Sequence, residues 1–261
     1  MSEANNVQMS LLDDSEASLY KPISRFSHEP FETRQFQFDL TVATVFDDMA
    51  ARSIPGYFTT QQLAINLCKG FVRDGTRIYD IGSATGTTIS MLLSNLPSFL
   101  GEIIGIEPSQ AMRELCQHKI SKTPSHIKTT FDDANIEFAK ISNASAILCN
   151  YTLHFVPTGS RQAILDKFYK SLVPGGFLIL SEKITGGSTQ QMKLMRQEYH
   201  RFKELNGYSK EEILDKERAL SGILIPLSIE ENIDMLTKAG FRRIEIAFRS
   251  PPFVTLVAWN Y

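Results

Sequence analysis

The chain has 261 residues, 43% hydrophobic and 21% charged, with a net charge of −2, a size and balance that suit one large α/β domain. Near-neutral charge with no run of lysine or arginine excludes a general nucleic-acid-binding surface, and no stretch reaches the roughly 18 apolar residues of a membrane span. The opening residues lack the basic and apolar regions of an export signal, and Cys68, Cys116 and Cys149 are too scattered for a disulfide framework or a zinc site, so a cytoplasmic protein with buried thiols and no metal is expected.

Residues 1–30 are polar and acidic without periodicity and predict a flexible arm before a domain over 31–261. A helical pattern begins at Phe38, carries Leu40, Ala43, Val45, Phe46 and Met49 on one side, and must end before Pro55. A second helix is predicted from Thr59 to Val72, stopped by Asp74-Gly75. Arg77 to Ile81 reads as a strand running into Gly82-Ser83-Ala84-Thr85-Gly86 and a helix to Ser94. Then come a strand at Ile103–Ile106, a helix from Ser109 to Lys119, and strands at Ile127–Phe131 and Ala146–Cys149. A helix over Arg161–Leu172 closes with Pro174-Gly175-Gly176 before a strand at Phe177–Ser181.

This alternation implies a parallel, doubly wound Rossmann-like sheet with helices on both faces. The two opening helices form an N-terminal lid, and residues 188–227 form a helical insertion after the fifth strand. A last helix starts with the capping box Ser228-x-x-Glu231 and ends at Gly240. Two closing strands, near 243–248 and 253–259, flank Pro251-Pro252 as an antiparallel hairpin does.

The chemistry gathers at two strand ends. Asp80-Ile81-Gly82-Ser83-Ala84-Thr85-Gly86 follows a strand and opens a helix, where doubly wound folds bind ligands and glycine lets the backbone approach them. Asp80 puts a carboxylate at that mouth, suited to an ammonium group or to loop amides. Twenty-five residues after Gly82, Glu107 ends the second strand, where an acid accepts hydrogen bonds from ribose hydroxyls. A nicotinamide dinucleotide would need G-x-G-x-x-G, but position 84 is alanine and no third glycine follows in place. The acid two residues before the first glycine, the strand order and the closing hairpin point instead to a class I methyltransferase fold binding S-adenosyl-methionine.

Longer segments then resemble the carboxy-S-adenosyl-methionine synthase family of the tRNA wobble-uridine modification pathway, over about residues 36–259. They include Phe38-Asp39-x-x-Val42-Ala43-x-Val45-Phe46-x-Asp48-Met49, Arg52-Ser53-Ile54-Pro55-Gly56-Tyr57, Tyr79-Asp80-Ile81-Gly82, Asn143-Ala144-Ser145, Asn150-Tyr151-Thr152-Leu153-His154-Phe155, Leu180-Ser181-Glu182-Lys183 and Asn206-Gly207-Tyr208-Ser209. The resemblance implies a dimer that takes S-adenosyl-methionine and prephenate and moves a carboxyl-derived carbon, through a sulfonium ylide, onto the cofactor. It implies cofactor contacts at Tyr57, at Gly82-Ser83-Ala84, at Glu107-Pro108, at Asn135-Ile136 and at Asn150. Two departures stand out. Asn135 replaces an aspartate, a mild change because an amide oxygen still accepts a bond from the adenine amine. Glu217 stands where the family has the arginine that holds the extra carboxylate, turning a charge-assisted contact into repulsion.

That exchange sets the expectation of a methyltransferase acting on a small-molecule acceptor, with the synthase reaction as the alternative and a non-catalytic cofactor-binding subunit as a third reading. No catalytic residue is assigned. His154, between Leu153 and Phe155, reads as a packing histidine before a general base, and His200 and Arg201 as a solvated or interface face. Met192, Leu194, Met195 and Tyr199 read as core or as the surface of a homodimer built on the insertion.

Overall fold

The computed structural model describes residues 38–261; the arm expected over 1–30 lies outside them. Helix α1 (Leu40–Ser53) starts where the Asp39 carboxylate accepts the Val42 amide at 3.0 Å and stops before Pro55, as a ring without an N–H requires. Gly56 then turns the chain with φ +74° into α2 (Tyr57–Phe71). A Cβ at Gly56 would lie 2.2 Å from the Phe248 ring, so both conformation and space demand glycine. That turn is why α2 begins two residues ahead of the predicted Thr59.

The alternating part follows as β1 (Arg77–Ile81), α3 (Thr87–Asn95), β2 (Glu102–Ile106), α4 (Gln110–Ile120), β3 (Lys128–Asp132), β4 (Ala144–Asn150), a 3-10 turn at Leu153–Phe155, α5 (Thr158–Ser171) and β5 (Leu172–Lys183). The insertion supplies α6 (Thr189–Leu205) and α7 (Lys210–Leu220), and the chain closes with α8 (Ile229–Ala239), β6 (Arg243–Ser250) and β7 (Phe253–Trp259). One seven-stranded sheet results, ordered β3-β2-β1-β4-β5-β7-β6. Strands β1 to β5 are parallel and β7 runs antiparallel to β5 and β6.

Strand β4, ASAILCN, is apolar almost throughout because helices cover both its faces. On one face Ile147 and Leu178 pack with Ile164, Leu165 and Phe168 of α5 and Leu236 of α8. On the other, Ile78, Leu148 and Ile179 meet Ala64, Ile65 and Cys68 of α2 and Ile89 and Leu92 of α3. Phe168 has no exposed surface, so cutting it to alanine costs about 3–5 kcal/mol.

Strand β5 departs from the sequence expectation. Leu172 is already extended and pairs with Ala144, and the register slips before Phe177 pairs with Ala146. Pro174 has no N–H to give the ladder and Gly175 takes φ +77°, so Pro-Gly-Gly bulges the strand rather than ending the helix. Three capping boxes, Ser188/Gln191, Ser209/Glu212 and Ser228/Glu231, start α6, α7 and α8, and α6 also meets α1. Among the described residues no helix is long and apolar enough to cross a membrane, and no three His, Cys, Asp or Glu gather as a metal site.

Candidate active site

The strand order reverses between β1 and β4, and a crevice opens at such a switch point outside the carboxyl ends of the strands. After β1 the amides of Gly82 and Ser83 donate to Ile106 O at 2.7 and 3.2 Å, folding the turn across the end of β2. Gly82 has φ +68°, and a Cβ there would stand 2.4 Å from the Thr152 hydroxyl oxygen. That hydroxyl in turn donates to Ile81 O at 2.9 Å. Glu107 clamps the arrangement: Oε2 accepts the Ala84 amide at 3.0 Å and Oε1 the Ser109 amide at 2.9 Å. Each oxygen keeps a lone pair for a further donor. Burial pushes the Glu107 carboxyl up, against the pull of those amides and of Arg113.

Four buried polar atoms on the elements that meet here have no partner among the described residues: Asp80 Oδ2, Gln61 Oε1, Ser83 Oγ and Asn150 Nδ2. Buried polar groups are almost always paired, so these orphans are atoms that a ligand's polar groups would satisfy. Two are acceptors suited to an ammonium, one is an amide donor, and the hydroxyl serves either way, a set that fits the amino-acid part of S-adenosyl-methionine. Burial, with the charge of Glu107 adding to it, pushes Asp80 up to about 7. A fifth orphan, Trp259 Nε1, sits at the other end of the sheet, where Trp259 pairs with Phe177.

The other predicted residues lie around this mouth. Tyr57 is buried at the start of α2 with its ring 6.3 Å from that of Tyr151. Tyr151 adopts φ +58° and shares a 2.9 Å hydroxyl contact with Thr60; a bulky residue in the left-handed region is strained and tends to mark a site. Asn150 Oδ1 accepts from Ser181 Oγ at 2.7 Å, leaving its amide to the crevice. Pro108 is exposed directly after Glu107, whose amide donates to Asp132 O at 3.0 Å and brings the β3 end alongside. Past β3, Asn135 is exposed whereas Ile136 is buried in the core, so of that pair Asn135 is the one open to a ligand. The lid is pinned by residues the motifs do not flag. Asp47 of α1 accepts from Thr85 Oγ1 at 2.5 Å, Thr87 Oγ1 at 3.0 Å and Lys119 Nζ at 2.6 Å.

A second wall rises from β5, α6, α7 and α1. Lys183 Nζ and Lys203 Nζ lie 5.0 and 4.3 Å from the centre of the Tyr199 ring. Lys216 Nζ lies 4.0 Å and the Arg52 guanidinium 4.5 Å from that of Tyr208. Lys216 also donates to the Tyr208 hydroxyl at 2.7 Å. Burial and neighbouring cations bring Lys203 down to about 8 and Lys216 to about 7. Aromatic contacts run from this wall to the crevice, Tyr199 to Phe253 at 5.6 Å, Phe253 to Tyr151 at 5.8 Å, and on to Tyr57.

Glu217 belongs to this wall, and it does not face it bare. Arg196 Nη2 donates to Oε2 at 2.6 Å and His200 Nε2 stands 2.6 Å from Oε1. Despite burial, these partners hold the carboxyl down near 2. Two expectations change: His200, read as a solvated or interface face, is half-buried and bonded to this acid, and the anion meets a guanidinium one helix away before it meets any ligand. Arg201 is exposed, as are Met192 and Leu194, whereas Met195 packs on the core and Tyr199 is buried. His154 is buried with Nδ1 accepting the Lys183 amide at 3.2 Å, and Glu182 Oε2 lies 3.2 Å away, a packing role.

Residues 78–176 match the model of a methyltransferase domain family. The chain is 37% identical to the carboxy-S-adenosyl-L-methionine synthase of Nautilia profundicola over 89% of this chain and 97% of that protein. With the Helicobacter hepaticus synthase it shares 39% over 86% and 95%, and with that of Escherichia coli 37% over 85% and 90%. Among solved structures, a cyclopropane synthase from Mycobacterium tuberculosis superimposes with a TM-score of 0.57 at 16% identity, covering 83% of this chain and 79% of that one. The carbon methyltransferase CurJ gives 0.59 at 18%, covering 85% and 58%. At such identities the structures show the shared fold.

Proposed function

Because the chain belongs to the carboxy-S-adenosyl-L-methionine synthase family, we propose that this S-adenosyl-methionine-dependent transferase makes the carboxylated cofactor, with prephenate as carboxyl donor. One observation carries the choice over methylation of a separate acceptor. The acid that replaces the family's arginine is neutralised in place, Glu217 being bonded to Arg196 at 2.6 Å and to His200 at 2.6 Å. The repulsion inferred from the exchange alone is therefore largely cancelled, and the wall keeps its surplus of positive charge. When bound, S-adenosyl-methionine supplies the sulfonium methyl carbon, whose C–H bonds the positive sulfur acidifies so that this carbon can take up the carboxyl group. On this reading Asp80 and Gln61 take its ammonium, Ser83 and Asn150 take its remaining polar groups, and Glu107 takes the ribose hydroxyls. Gly82 and Ala84 give the backbone its close approach. Tyr57 closes the side under the lid, and Pro108 and Asn135 edge the base, with Ile136 packed in the core behind them. Alignment and exclusion of water are the protein's main contributions.

Mass spectrometry of the purified protein, and of its product with S-adenosyl-methionine and prephenate, tests this. The carboxylated cofactor is expected in both. Recovery of S-adenosyl-methionine alone, with no carboxylated product formed, overturns the reading in favour of a methyltransferase. The insertion also supports a homodimer, since it exposes Leu194, Leu205 and Leu214 at 58, 75 and 45%. Light scattering at micromolar concentration is expected to give twice the 29.4 kDa of one chain, and a single-chain mass rules the dimer out.

A further inference from the structure

We infer that Lys203, flanked by Lys183 and Lys216, forms a carboxylate-binding subsite beside the cofactor crevice and takes over the work of the absent arginine. Lys203 is 4% exposed, and neither its Nζ nor that of Lys183 meets a hydrogen-bond acceptor or a carboxylate among the described residues; both rest over the Tyr199 ring. A buried ammonium without an anion is expensive, and here several cations crowd together. The groups facing them are Asp48 and Arg52 on α1, Arg196 and His200 on α6, Tyr208, and Glu212 and Glu217 on α7. The acids are engaged elsewhere: Glu217 with Arg196 and His200, Asp48 with Arg52 at 2.8 Å, and Glu212 with the Ser209 amide at 2.8 Å. What remains, on Lys183 and Lys203, is positive charge that no acid bonds among the described residues, set against the Tyr199 ring, and Lys183 lies at the carboxyl end of β5, one strand over from Asn150. A small organic carboxylate answers both features. Its charge satisfies the lysines and its apolar body lies along Tyr199 and Phe253.

The inference deepens the synthase reading, since the carboxylate belongs either to the carboxyl donor or to the carboxylated cofactor, and its test has an arm free of that reading. Lysine labelled with carbon-13 at Cε reports each ammonium's titration by NMR, in the full chain, with and without malonate. An anion favours the charged form, so malonate is expected to raise the Lys203 titration from about 8 by roughly one unit or more. Malonate affinity should fall as pH rises through that range. A titration unmoved by malonate overturns the subsite whatever reaction the protein performs. In the second arm, Lys203→Gln is expected to weaken the carboxylated cofactor by about tenfold or more while S-adenosyl-methionine stays within about twofold, and Lys203→Arg restores part of the loss. Equal weakening of both cofactors, with the melting temperature unchanged, also overturns it. A malonate response from a protein that makes no carboxylated product refutes the synthase reading alone and leaves the subsite standing.

Discussion

The crevice at β1 and β2 and the wall of α6 and α7 are built in opposite ways. Two short segments around Asp80–Gly86 and Glu107–Ser109 make most of the crevice, and they fix each other through backbone amides. The wall takes single side chains from β5, α6, α7 and α1, residues as far apart in sequence as Arg52 and Lys216, held against two tyrosine rings. Backbone geometry recognises what every user of the cofactor shares. On the proposed reading, side-chain charge on the insertion sets what is peculiar to one reaction. Lesions in the crevice should therefore weaken S-adenosyl-methionine and its carboxylated derivative alike, and lesions in the wall should separate them.

The largest effect expected is one of pH, at Asp80. Its folded-state value of about 7 lies above the ordinary 3.8, so the folded protein keeps a proton that the unfolded chain has released. The stabilisation is full below the ordinary value, declines as pH rises between the two, and is gone above about 7. Its size is on the order of 4 kcal/mol. Denaturant unfolding of the ligand-free protein should show this fall between about pH 4.5 and about pH 6.5, limits roughly half a unit inside the two pKa values, and Asp80→Asn should flatten it. The bound ammonium favours ionised Asp80, so both cofactors should bind tighter as pH rises toward 8, about one unit past the folded pKa. A flat stability profile in the wild type removes Asp80 from the crevice account.

Next comes Glu107→Ala, which strips two amides of their acceptor as well as removing the proposed ribose contact. It should cost about 2–3 kcal/mol of stability and weaken both cofactors by a similar factor, seen by calorimetry on protein that is still folded. A loss confined to one cofactor contradicts a shared cradle. Asp47→Ala should do less. It frees the lid from Thr85, Thr87 and Lys119, and a lost charged contact of about 1.5 kcal/mol should raise the dissociation constant of either cofactor about tenfold. Unchanged affinity would show that α1 stays closed without its clamp.

The same contrast explains what the sequence discloses. The alternation of strands and helices, the turn after β1 and the acid after β2 are local patterns, and each lies where its periodicity or spacing points. The start of strand β5 is not legible in the sequence, because Pro174-Gly175-Gly176 reads as a stop and is a bulge. Gln61 was missed because an amide inside an amphipathic helix looks like surface, yet it is 3% exposed. Asp47 was missed because its partners are 38, 40 and 72 residues away. Glu217 is legible in the sequence but its pairing with Arg196 is not, since no spacing rule joins positions 21 residues apart on two helices.

That pair gives the smallest and most discriminating prediction. Arg196 is 61% exposed at its side chain and Glu217 23%, so the bond belongs to the class of outer ion pairs worth about 0.2–1 kcal/mol in stability. Removing Arg196 should hardly move the melting temperature. It should, however, leave Glu217 with His200 as its remaining bonded partner, and its less compensated charge then acts on Lys183 and Lys203 and on any carboxylate they hold. Arg196→Ala is therefore expected to weaken the carboxylated cofactor by about two- to fivefold and to leave S-adenosyl-methionine unmoved. Glu217→Ala alone removes an anion from the wall and should tighten the carboxylated form slightly. Adding Glu217→Ala to the Arg196 variant should then recover most of the loss, because the repelling charge is gone. The interaction term of this double-mutant cycle isolates the pair from the rest of the wall. If the single and double variants bind the carboxylated cofactor equally weakly, Arg196 contacts the ligand itself rather than neutralising Glu217. If neither changes it, the acid at position 217 has no say in which form of the cofactor the wall prefers.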